Sequence, residues 1–331
     1  MNMKTTPAKA RAYSRIGDGA MRFGALAIDQ RPPLMNLVAQ ALGKDPEGVA
    51  AEVAELKGLL ADTLARSATG ILIDPYYAFP AAMPLLPREI GLMLTLEHHR
   101  FETVEGGWRK SQLIPGWSVE RAVQIGADGL KLLAWHRPDA PAEAVQHQLE
   151  LVRKVGEECQ KADRLFIFEV LPYPLPGEDE AAYKAKLREM SLEIAAAFAD
   201  PGFHIDLYKL AIPGAASLVR EWGGSAYSLD DLEADMKEYS KLPAPWLLLS
   251  GGLNTDQFVD AFERAASAGA RGYLAGRAIW QHPLRKYPDL AATRAALLEE
   301  GREALDRLNE VLLSIPPMFP QVEWVLEGVA G

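Results

Sequence analysis

PWLLLSGG (Pro245–Gly252) and RGYLAGRAIW (Arg271–Trp280) are the two stretches of the sequence that decide the fold. Each opens as an apolar run and reaches a glycine next to a polar side chain, as in Ser250-Gly251 and Gly276-Arg277. Between them, Thr255–Ala268 has apolar residues at helical spacing. A strand, a helix and a second strand in this order predict a right-handed unit with parallel strands.

The same unit recurs towards the amino terminus. Six further apolar runs are Arg22–Asp29, Ala68–Pro75, Gly91–Glu97, Asp128–His136, Arg164–Pro172 and Phe203–Pro213. Helical spacing also marks Asp45–Arg66, Ala140–Ala162, Glu178–Ala199 and Leu290–Leu313, whereas Arg100–Pro115 reads as a polar loop. The runs are apolar on both faces, which is typical of covered parallel strands. Eight units predict a (β/α)8 TIM barrel. The lack of Gly-x-Gly-x-x-Gly after the first run argues against the alternative, a doubly wound sheet.

One domain accounts for nearly all of the chain. We expect the barrel to occupy residues 21–314, with an N-terminal extension at 1–20 and a C-terminal tail at 315–331. The tail is apolar and contains prolines. It is expected either to close the base of the barrel or to meet another subunit, which leaves a homodimer as an open alternative.

Composition narrows the class of protein. The 331 residues are 49% hydrophobic, enough for a large core, and carry a formal net charge of −10, which argues against nucleic acid as a partner. The single cysteine, Cys159, excludes an internal disulfide and a cysteine-based metal site. No histidine has carboxylates at metal-ligand spacing, so neither a metal nor a cofactor is expected. No signal peptide or membrane-spanning run is apparent, which predicts a soluble cytoplasmic protein.

Ionisable residues gather at the carboxyl ends of the predicted strands, where barrels place their active sites. They are Asp29, with Gln30 and Arg31 after it, Asp74, Lys131, Glu169, Lys209 and Arg277. Asp74 precedes Pro75 and is interpreted mainly as a turn or capping residue.

Lys209 is the most unusual residue among them, because it lies in the apolar run HIDLYKLAIP (His204–Pro213). Burial favours the neutral amine, which can form a Schiff base with a carbonyl. Repulsion from Lys131 is expected to lower the pKa of both lysines, and Glu169 is placed to move protons. The alternatives are that Lys209 reaches water from a strand end or pairs with a carboxylate, and that Lys131 merely pairs with Glu169.

The glycine-bearing ends of the last two strands predict a phosphate site. Ser250, Gly251 and Gly252 offer backbone N–H groups and a hydroxyl, and Gly276 and Arg277 add an N–H and a guanidinium. The alternative reading is two tight turns and an arginine salt bridge.

The chain resembles the class I tagatose-1,6-bisphosphate aldolases, to which the sulfofructose-phosphate aldolases are related. The matching segments are Ala25–Arg31, Ala68–Pro75, Asp128–Leu133, Phe168–Leu171, Asp206–Leu210, Leu249–Gly252 and Leu274–Trp280. The resemblance implies a (β/α)8 fold and metal-independent cleavage of a ketohexose 1,6-bisphosphate, derived from tagatose or fructose. The products would be dihydroxyacetone phosphate and glyceraldehyde 3-phosphate.

The resemblance also implies residue roles. Lys209 would form the Schiff base and Glu169 would transfer protons. Asp29, Gln30 and Lys131 would contact the sugar. The phosphate next to the ketone would be bound by Ser250, Gly251, Gly276 and Arg277. The distal end of the substrate would contact Arg31 and Lys57. The loops after the second, fifth and sixth strands depart from the family pattern, which leaves the exact substrate open. Two alternatives remain: cleavage of sulfofructose phosphate to dihydroxyacetone phosphate and sulfolactaldehyde, and a non-catalytic sugar-phosphate sensor.

Overall fold

Eight parallel strands close into a barrel in the computed structural model, which describes residues 4–322. The strands are β1 (Phe23–Ala27), β2 (Gly70–Ile73), β3 (Gly91–Thr95), β4 (Gly129–Trp135), β5 (Leu165–Leu171), β6 (Leu207–Leu210), β7 (Trp246–Leu249) and β8 (Gly272–Ala275). Each strand pairs with the next in chain order, and β8 pairs with β1. The predicted (β/α)8 barrel is therefore confirmed.

Helices surround the barrel and close its base. They are α1 (Pro7–Ile16), α2 (Pro32–Leu42), α3 (Ala50–Leu64), α4 (Ala78–Ala82), α5 (Val119–Gln124), α6 (Ala142–Lys161), α7 (Glu180–Ala196), α8 (Leu229–Tyr239), α9 (Thr255–Ser267), α10 (Arg277–Trp280), α11 (Leu290–Ala296) and α12 (Arg302–Ser314).

Two segments differ from the sequence prediction. The last apolar run is a strand only as far as Ala275, because the Gly276 carbonyl accepts hydrogen bonds from Ile279 and Trp280 and starts α10. The polar loop after β3 contains an antiparallel pair, Glu102–Val104 with Trp108–Lys110.

Side chains on the strands alternate between the barrel interior and the shell that faces the helices. On β5, Leu165 and Ile167 join the interior apolar cluster, whereas Phe166 and Phe168 pack outwards. The same alternation turns Glu169 inwards, one layer nearer the carboxyl end. A polar residue in a run of apolar ones thus points into the barrel because of its position in the strand.

The base of the barrel is closed by α1, which the sequence did not predict. Tyr13 and Ile16 belong to the interior cluster, and Lys9 Nζ lies 2.7 Å from Asp206 Oδ2. Gly91 sits so close under α1 that a Cβ would overlap the helix backbone.

The described part of the C-terminal tail also lies at this end. Gln321–Val322 pairs with Lys4–Thr5, and the Met318 N–H donates to the Ala20 carbonyl at 2.9 Å. Residues 323–331 of the predicted tail and residues 1–3 of the predicted extension lie outside the described residues. No helix within 4–322 is long and apolar enough to span a membrane.

Candidate active site

A cavity of ≈ 460 Å³ opens at the carboxyl end of the barrel. The residues predicted for the site that line it are Asp29, Gln30, Arg31, Lys131, Glu169, Lys209, Ser250, Gly251, Gly276 and Arg277. Its other walls include Glu97, His98, His99, Leu133, Trp135, Leu171, Tyr183 and Leu187. Sequence reasoning missed Tyr183 and Leu187, because they reach the cavity from α7 rather than from a strand end.

Lys209 and Glu169 face each other at the floor of the cavity. Their strands, β5 and β6, are hydrogen-bonded neighbours in which Glu169 lies opposite Lys209. The Lys209 Nζ atom lies 2.8 Å from Glu169 Oε2. Both side chains are buried. Burial raises the pKa of Glu169, but the charges of Lys209 and Lys131 outweigh it and hold this pKa below its ordinary value. Glu169 is therefore a carboxylate that lies within reach of the Lys209 proton.

Lys131 is surrounded by three carboxylates. Its Nζ lies 2.6 Å from Glu97 Oε1, 2.9 Å from Asp29 Oδ2 and 3.2 Å from Glu169 Oε2. Burial lowers the pKa of Lys131, but these three negative charges raise it well above the ordinary lysine value. The prediction of a lowered pKa for Lys131 is wrong, because it counted repulsion from Lys209 and omitted the carboxylates.

Glu97 is the functional candidate that the sequence reasoning missed. Its Oε1 accepts from Lys131, its Oε2 accepts from the Leu133 N–H at 3.1 Å, and its carbonyl accepts from Arg31 Nη2 at 2.9 Å. The alternation on β3 held a usable signal, since Met93 belongs to the interior cluster and Glu97 lies four residues further on.

Several buried polar atoms on the cavity wall have no hydrogen-bond partner among the described residues. They are Asp29 Oδ1, Gln30 Oε1, Arg31 Nε and Nη1, and His99 Nδ1. Burial and the Arg31 charge lower the pKa of His99 to about 4. Buried polar atoms are normally satisfied, so this wall fits a ligand rich in hydroxyl groups and anionic oxygens.

The loops after β7 and β8 form an adjoining part of the wall, because β8 pairs with β1. Gly251 and Gly252 adopt left-handed conformations, with φ of 56° and 95°, which favour glycine. Ser250, Gly251, Gly276 and Arg277 face the cavity together. Gly252 does not line it. A Cβ there would lie 3.7 Å from Arg277 Nη1, so Gly252 shapes the turn beside the guanidinium.

Lys57 stands apart from the cavity, in contrast to its predicted contact with the distal end of the substrate. Its side chain is fully buried and pairs with Asp74, which also accepts hydrogen bonds from the N–H groups of Tyr76 and Tyr77. Burial lowers the pKa of Lys57. Because the Asp74 carboxylate needs a counter-charge at the end of β2, Lys57 is committed there. Arg31 is the member of the predicted distal pair that does reach the cavity.

Metal ligands are not grouped in this part of the chain. Within residues 4–322, no cluster of three or more His, Cys, Asp or Glu side chains is arranged to hold a metal ion. Cys159 is buried in α6, and burial raises the pKa of its thiol well above the ordinary value.

Comparison with known proteins identifies the family. The sequence matches the DeoC/LacD family aldolases over residues 23–282, from β1 to beyond α10. It is 32% identical to the tagatose 1,6-diphosphate aldolase of Lactococcus lactis subsp. lactis, over 94% of this chain and 97% of that protein. It is 30% identical to tagatose 1,6-diphosphate aldolase 2 of Enterococcus faecalis, over 98% and 99%.

A solved structure supports the architecture independently. The fructose-bisphosphate aldolase of Plasmodium falciparum, in a complex with TRAP and a small-molecule inhibitor, superposes with a TM-score of 0.66 at 14% identity. The superposition covers 93% of this chain and 97% of that one, which shows a shared fold. The shared fold agrees with the resemblance carried by the seven strand-end segments. So does the similarity to named aldolases, which extends over nearly the full length of the chain. The chain therefore belongs to the DeoC/LacD family of aldolases, which are lyases.

Proposed function

We propose that this aldolase cleaves a ketohexose 1,6-bisphosphate, of the tagatose or fructose series, through a Schiff base on Lys209. The products are dihydroxyacetone phosphate and glyceraldehyde 3-phosphate. The observation that carries the proposal is the Lys209 amine, 2.8 Å from a buried carboxylate inside a cavity that Ser250 and Arg277 also line. The tagatose 1,6-diphosphate aldolases among its relatives support this substrate class.

The first half of the reaction builds an electron sink. Glu169 accepts a proton from Lys209, and the neutral amine attacks the C2 ketone. The resulting carbinolamine loses water as Glu169 returns a proton to the departing hydroxyl, which leaves an iminium cation. Lys131 keeps its proton because three carboxylates hold it, so it donates hydrogen bonds to sugar oxygens and does not react.

The second half breaks the carbon chain. The iminium accepts the electron pair of the C3–C4 bond while a carboxylate of the cavity takes the proton of the C4 hydroxyl. The aldehyde phosphate leaves and an enamine remains on Lys209. Protonation at C3 regenerates the iminium, which water hydrolyses to dihydroxyacetone phosphate. Ser250 and Arg277 hold the phosphate of the retained half, and Asp29 Oδ1 accepts a hydrogen bond from a sugar hydroxyl.

Reductive trapping tests the nucleophile directly. The enzyme is incubated with dihydroxyacetone phosphate, reduced with borohydride and mapped by peptide mass spectrometry. The adduct is expected on Lys209, and Lys209→Met should abolish it, whereas the exposed Lys241→Met serves as the matched control. An adduct on Lys131, or activity that a chelator removes, would contradict the mechanism.

Turnover separates the substrate alternatives. Rates with tagatose and fructose 1,6-bisphosphates are compared with the rate on sulfofructose phosphate, whose distal group is a sulfonate. Preference for the sulfonate would favour the sulfofructose-phosphate reading, and binding of all three without cleavage would favour a sensor. The buried Lys209–Glu169 pair argues against the sensor, since charges without a chemical role are costly to bury.

A further inference from the structure

We infer that Glu97 is a positioning residue whose negative charge offsets the iminium cation formed on Lys209. This inference rests on the proposed function, because it concerns the electrostatics of the same Schiff base. It assigns a role to a side chain that the strand-end pattern did not single out.

Glu97 connects two basic residues of the cavity wall. Its carbonyl and Oε1 lie 2.9 Å and 3.5 Å from Arg31 Nη2, and Oε1 also lies 2.6 Å from Lys131 Nζ. All three side chains are no more than 5% exposed. Lys131 in turn meets Glu169, which meets Lys209. Glu97 is therefore linked to Lys209 by a continuous path of buried ion pairs.

Both oxygens of the Glu97 carboxylate are already engaged. Oε1 accepts from Lys131, and Oε2 accepts from the Leu133 N–H at 3.1 Å. Asp29 differs, since its Oδ1 has no partner within the described residues and can meet a substrate hydroxyl. Glu97 consequently acts through Lys131 and through its charge, and not as an acid or base on the substrate.

The charges at the floor of the cavity balance in number. Three carboxylates, Asp29, Glu97 and Glu169, stand against three basic side chains, Arg31, Lys131 and Lys209. Once the Lys209 proton has passed through Glu169 to solvent, and Glu169 is ionised again, this set carries one net negative charge. Formation of the iminium restores neutrality. Fixed charges in a water-poor site act more strongly than in water, so the missing positive charge favours the iminium over the free amine and ketone.

Variants of opposite sign isolate this effect. Glu97→Gln keeps the shape and the acceptor for the Leu133 N–H but leaves the set with one extra positive charge when the iminium forms. Arg31→Gln removes a positive charge from the same path. Dihydroxyacetone phosphate has no distal group for Arg31 to hold, so trapping with this ligand does not report the loss of a distal contact.

Borohydride trapping at subsaturating dihydroxyacetone phosphate is the measurement, with melting temperatures recorded for every variant. Glu97→Gln should lower the trapped fraction and reduce kcat roughly tenfold, while KM changes less than about threefold. Arg31→Gln should raise the trapped fraction. Glu97→Asp, which keeps the charge, should recover most of the loss. Glu233→Gln neutralises a surface glutamate paired with Lys237 and should behave as wild type.

The outcomes separate the two proposals. If wild-type enzyme traps no adduct on Lys209, the proposed function fails and this inference fails with it. If wild-type enzyme traps the adduct and Glu97→Gln traps it equally well, only the inference is overturned. Equal losses of trapped adduct in Glu97→Gln, Glu97→Asp and Arg31→Gln would point to a purely structural role for Glu97 and would also overturn the inference. If Glu97→Gln does not fold, the trapped fraction of Arg31→Gln decides alone: a rise supports the inference, and no rise overturns it.

Discussion

Replacing Lys131 with methionine tests the electrostatics of the site most severely. Lys131→Met keeps the unbranched stem, shorter by one atom, but removes the cation that lay 2.6–3.2 Å from three carboxylates. Removing one partner of a buried ion pair typically costs about 3–5 kcal/mol, because the remaining charge is uncompensated. We expect the free energy of unfolding at pH 7 to fall by an amount in this range.

The pH dependence of the loss follows from the pKa directions. The pKa of Lys131 is raised in the folded protein, so its contribution is full below the unfolded value of about 10.4 and is lost only at higher pH. The pKa of Asp29 is held well below normal, so its contribution is full above about pH 3.9 and is lost as the pH falls. Without Lys131, burial drives Asp29 and Glu169 towards protonation. The penalty in Lys131→Met should therefore be smaller at pH 4.5 than at pH 7.

Urea unfolding at both pH values measures this penalty. Lys44→Met, which removes an exposed lysine paired with Glu52, is the control and should stay close to wild type. A loss at pH 7 below about 1 kcal/mol, or a loss that does not change with pH, would refute the argument that Lys131 holds Asp29 and Glu169 in their charged form.

Three further predictions concern the predicted phosphate site, the buried Lys57–Asp74 pair and the base of the barrel. Arg277→Ala should raise KM for the bisphosphate roughly 10- to 100-fold, since a charged hydrogen bond contributes about 1.5–3 kcal/mol; an unchanged KM in steady-state kinetics would place the phosphate elsewhere. Lys57→Met should lower the free energy of unfolding by about 3–5 kcal/mol through the unpaired Asp74, yet leave KM of the folded enzyme unchanged; a large KM increase would restore Lys57 to the binding site. Gly91→Ala should cost about 1–3 kcal/mol in urea unfolding because its Cβ displaces α1, whereas Gly48→Ala, with open space around it, should cost little; equal effects would contradict this packing.

Most of the fold was predictable because it depends on local pattern. Apolar runs bounded by polar residues located all eight strands, and the alternation of period two explains why Lys209 and Glu169 point inwards. Helix α1 was missed because its sequence has few apolar residues to mark a buried face. Its role at the base depends on contacts with Gly91 and Asp206, which are distant in the chain.

The sequence predicted most of the residues that line the cavity, but it predicted their charge states less well. Strand-end positions brought Asp29, Lys131 and Lys209 to one cavity, as expected for a barrel. Their charge states depend on distances between side chains from different strands. Glu97 reaches Lys131 from the neighbouring strand region, and no spacing within one segment reveals such a pair. The position of Lys57 could not be predicted for the same reason, since only the fold shows that it forms a buried ion pair with Asp74.

The choice between two interior lysines rests on the number of carboxylates around each. Lys131 and Lys209 occupy equivalent inward positions on β4 and β6, so the strand pattern alone does not distinguish a nucleophile from a fixed cation. Lys131 has three carboxylates within 3.2 Å, and losing its proton would remove one counter-charge from each of them. Lys209 contacts one carboxylate, Glu169, which also retains Lys131 as a partner. A neutral amine at Lys209 therefore leaves Glu169 with Lys131 as its counter-charge, and the same cation that cannot react stabilises the carboxylate that accepts the Lys209 proton.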